Sequence, residues 1–417
     1  MESWGRYPRA TQTVQTMRWR SDVPRFDGAK VLPRGQGRSY GDSCLNDGGV
    51  LISTAGLDRF IFLDEAGGTL RCEAGVTFEA ILDLIVPRGF FLPVVPGTRF
   101  VSVGGAIAND IHGKNHHRAG TFGRHVRALE LLRSDGSRRV LGPHDPLFAA
   151  TVGGLGLTGI VTWAEIQLIR VPGPCLRTEA IPFADLDAFL ALTRESDGSW
   201  DYTVAWIDCL SPKPGRGVFL RGVHAEGAAR APSRRLRVPL DFPAFVLNRH
   251  TVRAFNRLYR LATRPGTRLS HYDPFFFPLD SVQGWNRIYG KPGFFQFQCV
   301  VPEIGTIGSL LQKVARAGTG SFLSVLKTFG DLPSPGLLSF PRKGFTLALD
   351  FPNRGPATLA LLDDLEREVR ATGGALYPAK DARMSRETFV HGSPRLDQFL
   401  PFLDPAFSSS FWRRVTA

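Results

Sequence analysis

The sequence predicts an α+β protein built in two parts, and two patterns carry that expectation. From residue 294 the apolar periodicity runs strand, helix, strand, strand, helix, strand, whereas the first 171 residues read as strands broken by glycine-rich turns. A length of 417 residues exceeds what one hydrophobic core usually organises, which is a third reason to expect two parts. The boundary between them is expected near Val171-Pro-Gly-Pro174, where the turn formers cluster.

In the first part, Thr69-Leu-Arg-Cys-Glu-Ala74 reads as a strand and Gly75 as a turn. Thr77 then caps a helix with Ile81, Leu82 and Ile85 on one face, and Pro87 and Gly89 stop it. A glycine-rich stretch follows at Thr151–Ile160, after which 162–169 alternates like a strand. In the second part, 294–301 is strand-like and Ile304, Ile307, Leu311 and Val314 mark a helix face. Two strands at 322–328 and 345–351 come next, then a helix face at Leu359, Leu362, Leu365 and Val369, and a short strand at 375–378. This β-α-β-β-α-β order is that of the ferredoxin-like antiparallel unit, which packs both helices on one sheet face and leaves the other free to cover a ligand.

Between the two parts, a basic and aromatic segment spans about 229–278. Arg249, Arg253, Arg257, Arg260 and Arg264 recur at helical spacing, with Val252, Phe255, Tyr259 and Ala262 on another stripe. Two readings stand side by side: a solvated helix packed by that stripe, or a basic amphipathic helix lying on anionic lipid. The whole chain agrees in sign, since 51 Lys and Arg exceed 38 Asp and Glu by 13, which favours anionic partners. Neither a signal-peptide-like apolar run nor a stretch long enough to cross a bilayer is present, so a cytoplasmic or peripheral membrane location is expected, the periplasmic face included. The five cysteines lie far apart without a Cys-x-x-Cys pair, which suggests neither a disulfide framework nor a thiolate metal site.

Two glycine-punctuated stretches carry the chemistry: Arg34-Gly-Gln-Gly-Arg-Ser-Tyr-Gly-Asp42 and Pro96-Gly-Thr-Arg-Phe-Val-Ser-Val-Gly-Gly-Ala-Ile-Ala-Asn-Asp-Ile-His-Gly-Lys-Asn-His-His117. Their glycines let backbone amides close on a pyrophosphate, and the second runs directly into titratable side chains, so together they read as a flavin dinucleotide site. The first is one residue too long for the Rossmann fingerprint and lacks its acidic partner, and no Gly-Lys-Ser/Thr of a P-loop occurs. His112 and His116 are four apart, but Gly113 argues against a helix carrying them and no carboxylate or cysteine completes a site, so no metal is expected. A Gly-x-Ser-x-Gly elbow is absent, which removes the usual serine hydrolase reading.

These stretches, with Gly120-Thr-Phe-Gly123 and Ala150-Thr-Val-Gly-Gly-Leu-Gly-Leu-Thr-Gly159, resemble the PCMH-type FAD-binding domain of the vanillyl-alcohol oxidase family. The similarity continues through Ala205-Trp-Ile-Asp208, His271-Tyr-Asp273, Phe277-Pro-Leu-Asp280, Gln296-Phe-Gln298, Lys327-Thr-Phe-Gly330, Leu349-Asp-Phe-Pro352 and Tyr377-Pro-Ala-Lys-Asp-Ala-Arg383, which is closest to the branch acting on polyprenyl-phosphoryl ribose. The resemblance implies an FAD domain at 1–171, a substrate domain at 172–375 roofing the isoalloxazine, and a segment at 376–417 returning to the FAD domain. It implies oxidation of the 2′-hydroxyl of a lipid-linked phosphoribose to a ketone with hydride passing to flavin. A separate NADH-dependent short-chain reductase would complete an epimerisation feeding cell-wall arabinan, and oxygen or a quinone would take the electrons.

By the same resemblance the cofactor contacts are Arg34, Gly35, Gln36, Gly37, Arg38, Ser39, Tyr40, Pro96, Gly97, Thr98, Val103, Gly104, Gly105, Asn109, His112, Gly113, Gly120, Gly154, Gly159, Ile160 and Tyr377. Lys380, Tyr40 and His112 are the implied catalytic groups, and Gln298, Lys327, Lys114, Tyr289 and Trp206 the implied substrate contacts. For Lys380 three roles stay open: lowering the hydroxyl pKa, accepting its proton, or holding an anionic group.

Several positions depart from the family pattern. Arg38 stands where many of these oxidases carry a flavin-linked histidine, so the FAD is expected to be non-covalent. Ala348 replaces a cysteine that faces the active site in better-known members, so thiol-directed inhibitors are expected not to attach there. The segment between Trp4 and Arg34 leaves little room for the helix that usually precedes the first glycine loop. Two other readings compete: a flavin enzyme for a soluble alditol or aldonolactone, and a basic binding protein with a degenerate flavin fold. The second lacks any nucleic-acid-binding motif, and no nucleic-acid partner is expected.

Overall fold

Alternating apolar side chains build the sheets from which the rest of the chain hangs. The computed structural model describes residues 1–211, 213–229, 236–243 and 245–417. Three parallel strands come first, β1 (Thr13–Thr16), β2 (Val31–Arg34) and β3 (Val50–Ser53), in the order β1-β3-β2. An antiparallel sheet follows, ordered β4-β5-β8-β6-β7, from β4 (Phe60–Asp64), β5 (Thr69–Glu73), β6 (Val126–Leu132), β7 (Arg138–Leu141) and β8 (Ile160–Gln167). Helix α1 (Phe78–Ile85) starts where Thr77 Oγ1 accepts from the Ala80 amide, and it buries Phe78, Ile81, Leu82 and Ile85 against this sheet's core. Helix α2 (Val103–Ala108) is capped by Ser102, so the second glycine stretch is a short helix rather than only a turn.

The second part is one antiparallel sheet of eight strands, ordered β12-β9-β11-β10-β14-β15-β13-β16. Its first half comprises β9 (Cys175–Phe183), β10 (Tyr202–Ile207), β11 (Gly217–Ala225) and β12 (Gly266–His271). The other half comprises β13 (Phe294–Val301), β14 (Ser324–Phe329), β15 (Gly344–Pro352) and β16 (Ala375–Leu376). Between strands of the latter half run α4 (Ile304–Ala317) and α5 (Pro356–Ala371), while α3 (Arg249–Ala262) precedes β12. Ile307, Leu311 and Val314 of α4 and Leu362, Leu365 and Val369 of α5 pack with Phe295, Phe297, Cys299, Leu326, Leu347 and Leu349. Because strand side chains alternate, that packing sends Gln296, Gln298, Val325, Lys327, Thr346 and Ala348 to the opposite face.

The C-terminal residues pack back on the first glycine loop. Phe407 bridges Val31, Arg414 forms ion pairs with Asp42 at 2.8 Å and Asp381 at 3.0 Å, and the Tyr40 amide donates to Ala379 O at 2.9 Å. A Cβ on Gly41 would stand 1.7 Å from Asp381 O, so only glycine permits this approach.

The structure departs from the sequence expectation in several elements, the strands expected at 322–328 and 375–378 running instead over Ser324–Phe329 and Ala375–Leu376. The β-α-β-β-α-β segment is half of a larger sheet, because β10 pairs with β14 through Ala205–Leu326 and Trp206–Val325. The expected strand at 162–169 ends at Gln167, and Ile169–Arg170 pairs separately with Phe90–Phe91. On α3 the packed stripe is Val252, Asn256 and Tyr259, whereas Phe255 and Ala262 are exposed, since Asn256 turns inward to donate to Asp208 Oδ1 at 2.8 Å. The basic segment at 229–278 also includes 230–235 and 244, which lie outside the described residues.

Candidate active site

A cavity of about 750 Å³ lies between the two parts. Its floor is backbone. The loop after β2 presents Arg34, Gly35, Gln36, Gly37, Arg38, Ser39 and Tyr40, and the second stretch presents Pro96, Gly97, Thr98, Gly104, Gly105 and Asn109. These two walls nearly touch, for a Cβ on Gly35 would meet Ser102 Oγ at 2.0 Å. Gly37 adopts φ 62°, and around Gly97 there is open space. Buried Arg34 Nε and Arg38 Nε have no hydrogen-bond partner among the described residues. Glycine amides, two guanidiniums and a cavity of this size fit a dinucleotide with a pyrophosphate, so these residues suit FAD. Arg38 lies 4.4 Å from the Trp4 ring centroid and 5.2 Å from that of Phe100, which holds it flat against the floor's edge.

The roof is the outward face of the eight-stranded sheet. Gln298 Nε2 donates to His112 Nε2 at 2.9 Å and to Thr346 Oγ1 at 3.2 Å, so roof and floor are tied by a side-chain bond. Burial, then the nearby Lys327, His116 and Lys380, push the His112 imidazole well below its usual pKa, which keeps it neutral. The acceptor role of Nε2 then leaves the proton on Nδ1, which is buried without a partner among the described residues. Lys327 Nζ reaches Gly113 O at 3.4 Å, and burial lowers its pKa to about 8. Burial and Lys327 bring Lys114 down to about 7, and its ammonium donates to the carbonyls of Phe275 and Phe276.

Lys380 stands where roof, floor and C-terminal segment meet. Its Nζ is 3.7 Å from the centroid of the Tyr40 ring, placed there because Ala379 accepts the Tyr40 amide. Burial lowers the Lys380 pKa while Asp350 opposes the shift; burial also raises Asp350, with Gln296 and Lys380 opposing. Gln296 Nε2 donates to Asp350 Oδ1 at 2.5 Å and Tyr289 OH donates to Oδ2 at 3.5 Å. Amine and carboxyl are thus poised so that a single proton near neutral pH decides the charge of the pair. The Tyr40 phenol is pushed well up by burial and Asp350, so it stays protonated.

Most of the residues expected at the site line this cavity, including Lys380, Tyr40, His112, Gln298, Lys327, Lys114, Trp206, Gly113, Gly159 and Tyr377. Five do not. Val103 and Ile160 point into apolar cores. Gly120 ends a short helix at φ 68°, and Gly154 turns so tightly that a Cβ would stand 2.0 Å from Ala150 O. Tyr289 stacks on Phe294 at 4.2 Å, one layer behind the wall, and reaches the site only through Asp350. Sequence reasoning overlooked Asp350, Gln296 and Trp4. Asp350 belongs to the quoted Leu349-Asp-Phe-Pro motif, so its motif was visible although its partner was not. The cysteine-to-alanine departure, Ala348, does line the cavity; of the five buried free cysteines, Cys44 also lines it, on the floor beside the first glycine loop, with its thiol pushed up to about 11 by burial. Among the described residues no group of three His, Cys, Asp or Glu is placed to hold a metal ion, and no helix is long and apolar enough to cross a membrane.

Residues 13–142 match the FAD binding domain family. Over 414 residues the chain is 37% identical to the decaprenylphosphoryl-β-D-ribose oxidase of Mycolicibacterium smegmatis, covering 93% of this chain and 89% of that one. It is 36% identical to an uncharacterised protein of Streptomyces coelicolor, covering 82% of this chain and all of that protein. An alditol oxidase from a Streptomyces species is 29% identical, but only across 29% of each chain.

Proposed function

The chain belongs to the decaprenylphosphoryl-β-D-ribose oxidase family, and from that premise we propose that it is an FAD-dependent oxidoreductase that oxidises the 2′-hydroxyl of a polyprenyl-phosphoryl ribose to a ketone. The observation that carries the reading is the cavity itself: a cofactor-fitting floor faces a roof with two amides and a buried lysine, and the lysine–carboxylate pair stands at the seam between them. Bound FAD supplies the hydride acceptor at N5.

The chain's own residues do the rest. Gln298 and Lys327, on one face of the sheet in the strands β13 and β14 that flank β15, orient the ribose and its phosphate, and Lys114 adds positive charge held in place by two carbonyls. With Lys380 uncharged and Asp350 ionised, the amine accepts the proton of the sugar hydroxyl, and the resulting ammonium is stabilised by the nearby carboxylate. The apolar stretch of wall formed by Val204, Trp206, Leu220, Phe275 and Phe322 suits the first part of a prenyl chain and excludes water. The ferredoxin-like half of the sheet serves as the substrate-binding roof, with 1–171 and 376–417 forming the cofactor part. A second enzyme, an NADH-dependent short-chain reductase, would reduce the ketone to the epimer, and oxygen or a quinone would re-oxidise the flavin.

Anaerobic addition of farnesyl-phosphoryl ribose should bleach the oxidised flavin band and yield the 2′-keto sugar, while free polyols leave the band intact. Bleaching by xylitol or an aldonolactone, but not by the lipid-linked sugar, would overturn the substrate assignment.

A further inference from the structure

Helix α3 has two outward stripes that packing leaves without a partner. Its inner stripe is settled: Val252 is buried, Asn256 donates to Asp208, and the Tyr259 ring lies 4.7 Å from that of Trp206. Its start is fixed by a capping box between Asn248 and Thr251. At about 100° per residue, Arg249, Arg253, Arg257 and Arg260 fall on one outward stripe, and Ala254, Leu258 and Leu261 on the next. Leu258 and Leu261 are 65% and 66% exposed, although burying them elsewhere would have been favourable. The helix has no acidic residue.

Continuing round the helix past the leucines, one reaches Phe255. This side chain is 43% exposed and also lines the cavity, as Tyr259 does, so it stands on the cavity's rim. Its ring meets Phe322 edge-on at 5.6 Å across the opening. On the other side of the helix, Arg249 and Arg253 join Arg316 around a separate surface hollow of about 480 Å³, and these three guanidiniums have no ion-pair partner among the described residues. Basic hollow, apolar ridge and cavity rim therefore follow one another around a single helix.

We propose that α3 docks the protein on an anionic phospholipid surface, with Leu258 and Leu261 entering the acyl boundary and Arg249, Arg253, Arg257 and Arg260 meeting lipid phosphates. The docked helix sets the Phe255 rim against the bilayer, so that the prenyl chain of a lipid-linked substrate passes from membrane to cavity without crossing water. The first half of the proposal stands on the helix alone; the second rests on the function proposed above. Charge complementarity selects the occupant, because a stripe of arginines with apolar neighbours matches anionic headgroups over hydrocarbon better than it matches a polar protein face.

The test uses the FAD-loaded full-length protein and vesicles of phosphatidylcholine with or without 40% phosphatidylglycerol. Sedimentation with the anionic vesicles should weaken at least tenfold in Leu258→Ser/Leu261→Ser and in Arg253→Glu/Arg257→Glu. Reversing Arg9, Arg25 and Arg139, exposed arginines of the first part of the chain, should change it less than threefold. The leucine variant should also turn over vesicle-borne long-chain substrate at least tenfold more slowly while oxidising soluble farnesyl-phosphoryl ribose at the normal rate. Equal vesicle binding by wild type and both helix variants would overturn the docking, as would a larger loss from the remote reversal than from the helix variants. Intact docking-dependent binding with no flavin bleaching by either sugar would instead refute the substrate reading and leave the docking surface standing.

Discussion

The floor and the roof of the cavity face the same space with different materials. The floor offers main chain at Gly35, Gly37 and Gly97 with the half-buried guanidiniums of Arg34 and Arg38, while the roof offers alternate side chains of β13, β14 and β15. A backbone surface can approach a large anionic cofactor closely and is indifferent to what reacts. A side-chain surface on a stiff sheet holds polar groups at fixed spacing, which a reacting sugar requires. The difference teaches that cofactor retention and turnover should be separable by mutation, with Lys380 belonging to turnover even though it arrives from the C-terminal segment.

The largest effect is expected there. Lys380→Met should slow flavin reduction by roughly 10²–10⁴-fold, the usual worth of a positioned proton acceptor, with FAD still bound. Lys327→Met, on the roof, removes a charge-assisted contact of about 1.5–3 kcal/mol, so kcat/KM should fall roughly tenfold to a hundredfold with no change in cofactor content. Gly37→Ala reverses the pattern: its φ of 62° costs an L-residue about 1–2 kcal/mol, and FAD should dissociate roughly tenfold more readily while the retained holoenzyme keeps its substrate preference. Since the floor carries Arg38 in the position of a linking histidine, acid precipitation should release yellow FAD into the supernatant, and colour left in the pellet would contradict a non-covalent site. Weak vesicle-free turnover with normal cofactor content in Gly37→Ala would erase the distinction between the two walls.

The smallest expected effect is a shift in pH dependence. Lys380 must be uncharged to take a proton, so flavin reduction should rise with pH through about 7. The Asp350 carboxylate raises the Lys380 pKa by attraction. Asp350→Asn removes that attraction, the Lys380 pKa falls, and the acid limb should move to lower pH. A limb that stays in place would remove Asp350 from the proton path.

Much of this architecture was legible in the sequence because local rules and tertiary packing agree. Thr77, Gly89 and the α1 apolar stripe gave a helix that the structure repeats to the residue at its start. The faces of α4 and α5 were readable for the same reason, their buried positions recurring at helical period. The first half of the large sheet was not, since β9 and β11 are held by neighbours remote in sequence and carry mixed side chains such as Arg177, Glu179 and Arg221. The phase of α3 was misread because a buried asparagine, satisfied by Asp208, took a place that an apolar count assigns to Phe255.

Within the site, glycines and lysines could be found from their motifs, but their pairings could not. Nothing local to Lys380 reveals that Asp350 faces it from another strand, or that Gln298 reaches across to His112. Conversely, Val103 and Ile160 sit in the right motifs and yet turn into the core, because one residue of helical or strand phase separates a wall from its backing.

The most direct test of the central claim, that Lys380 at the seam handles the hydroxyl proton, is the anaerobic rate of flavin reduction by farnesyl-phosphoryl ribose measured from pH 5 to 9 in wild type and Lys380→Met. The wild-type rate should climb through about pH 7 and the variant should be slow and nearly flat, with equal FAD content in both. A variant that reduces its flavin at the wild-type rate with the same pH profile would contradict it.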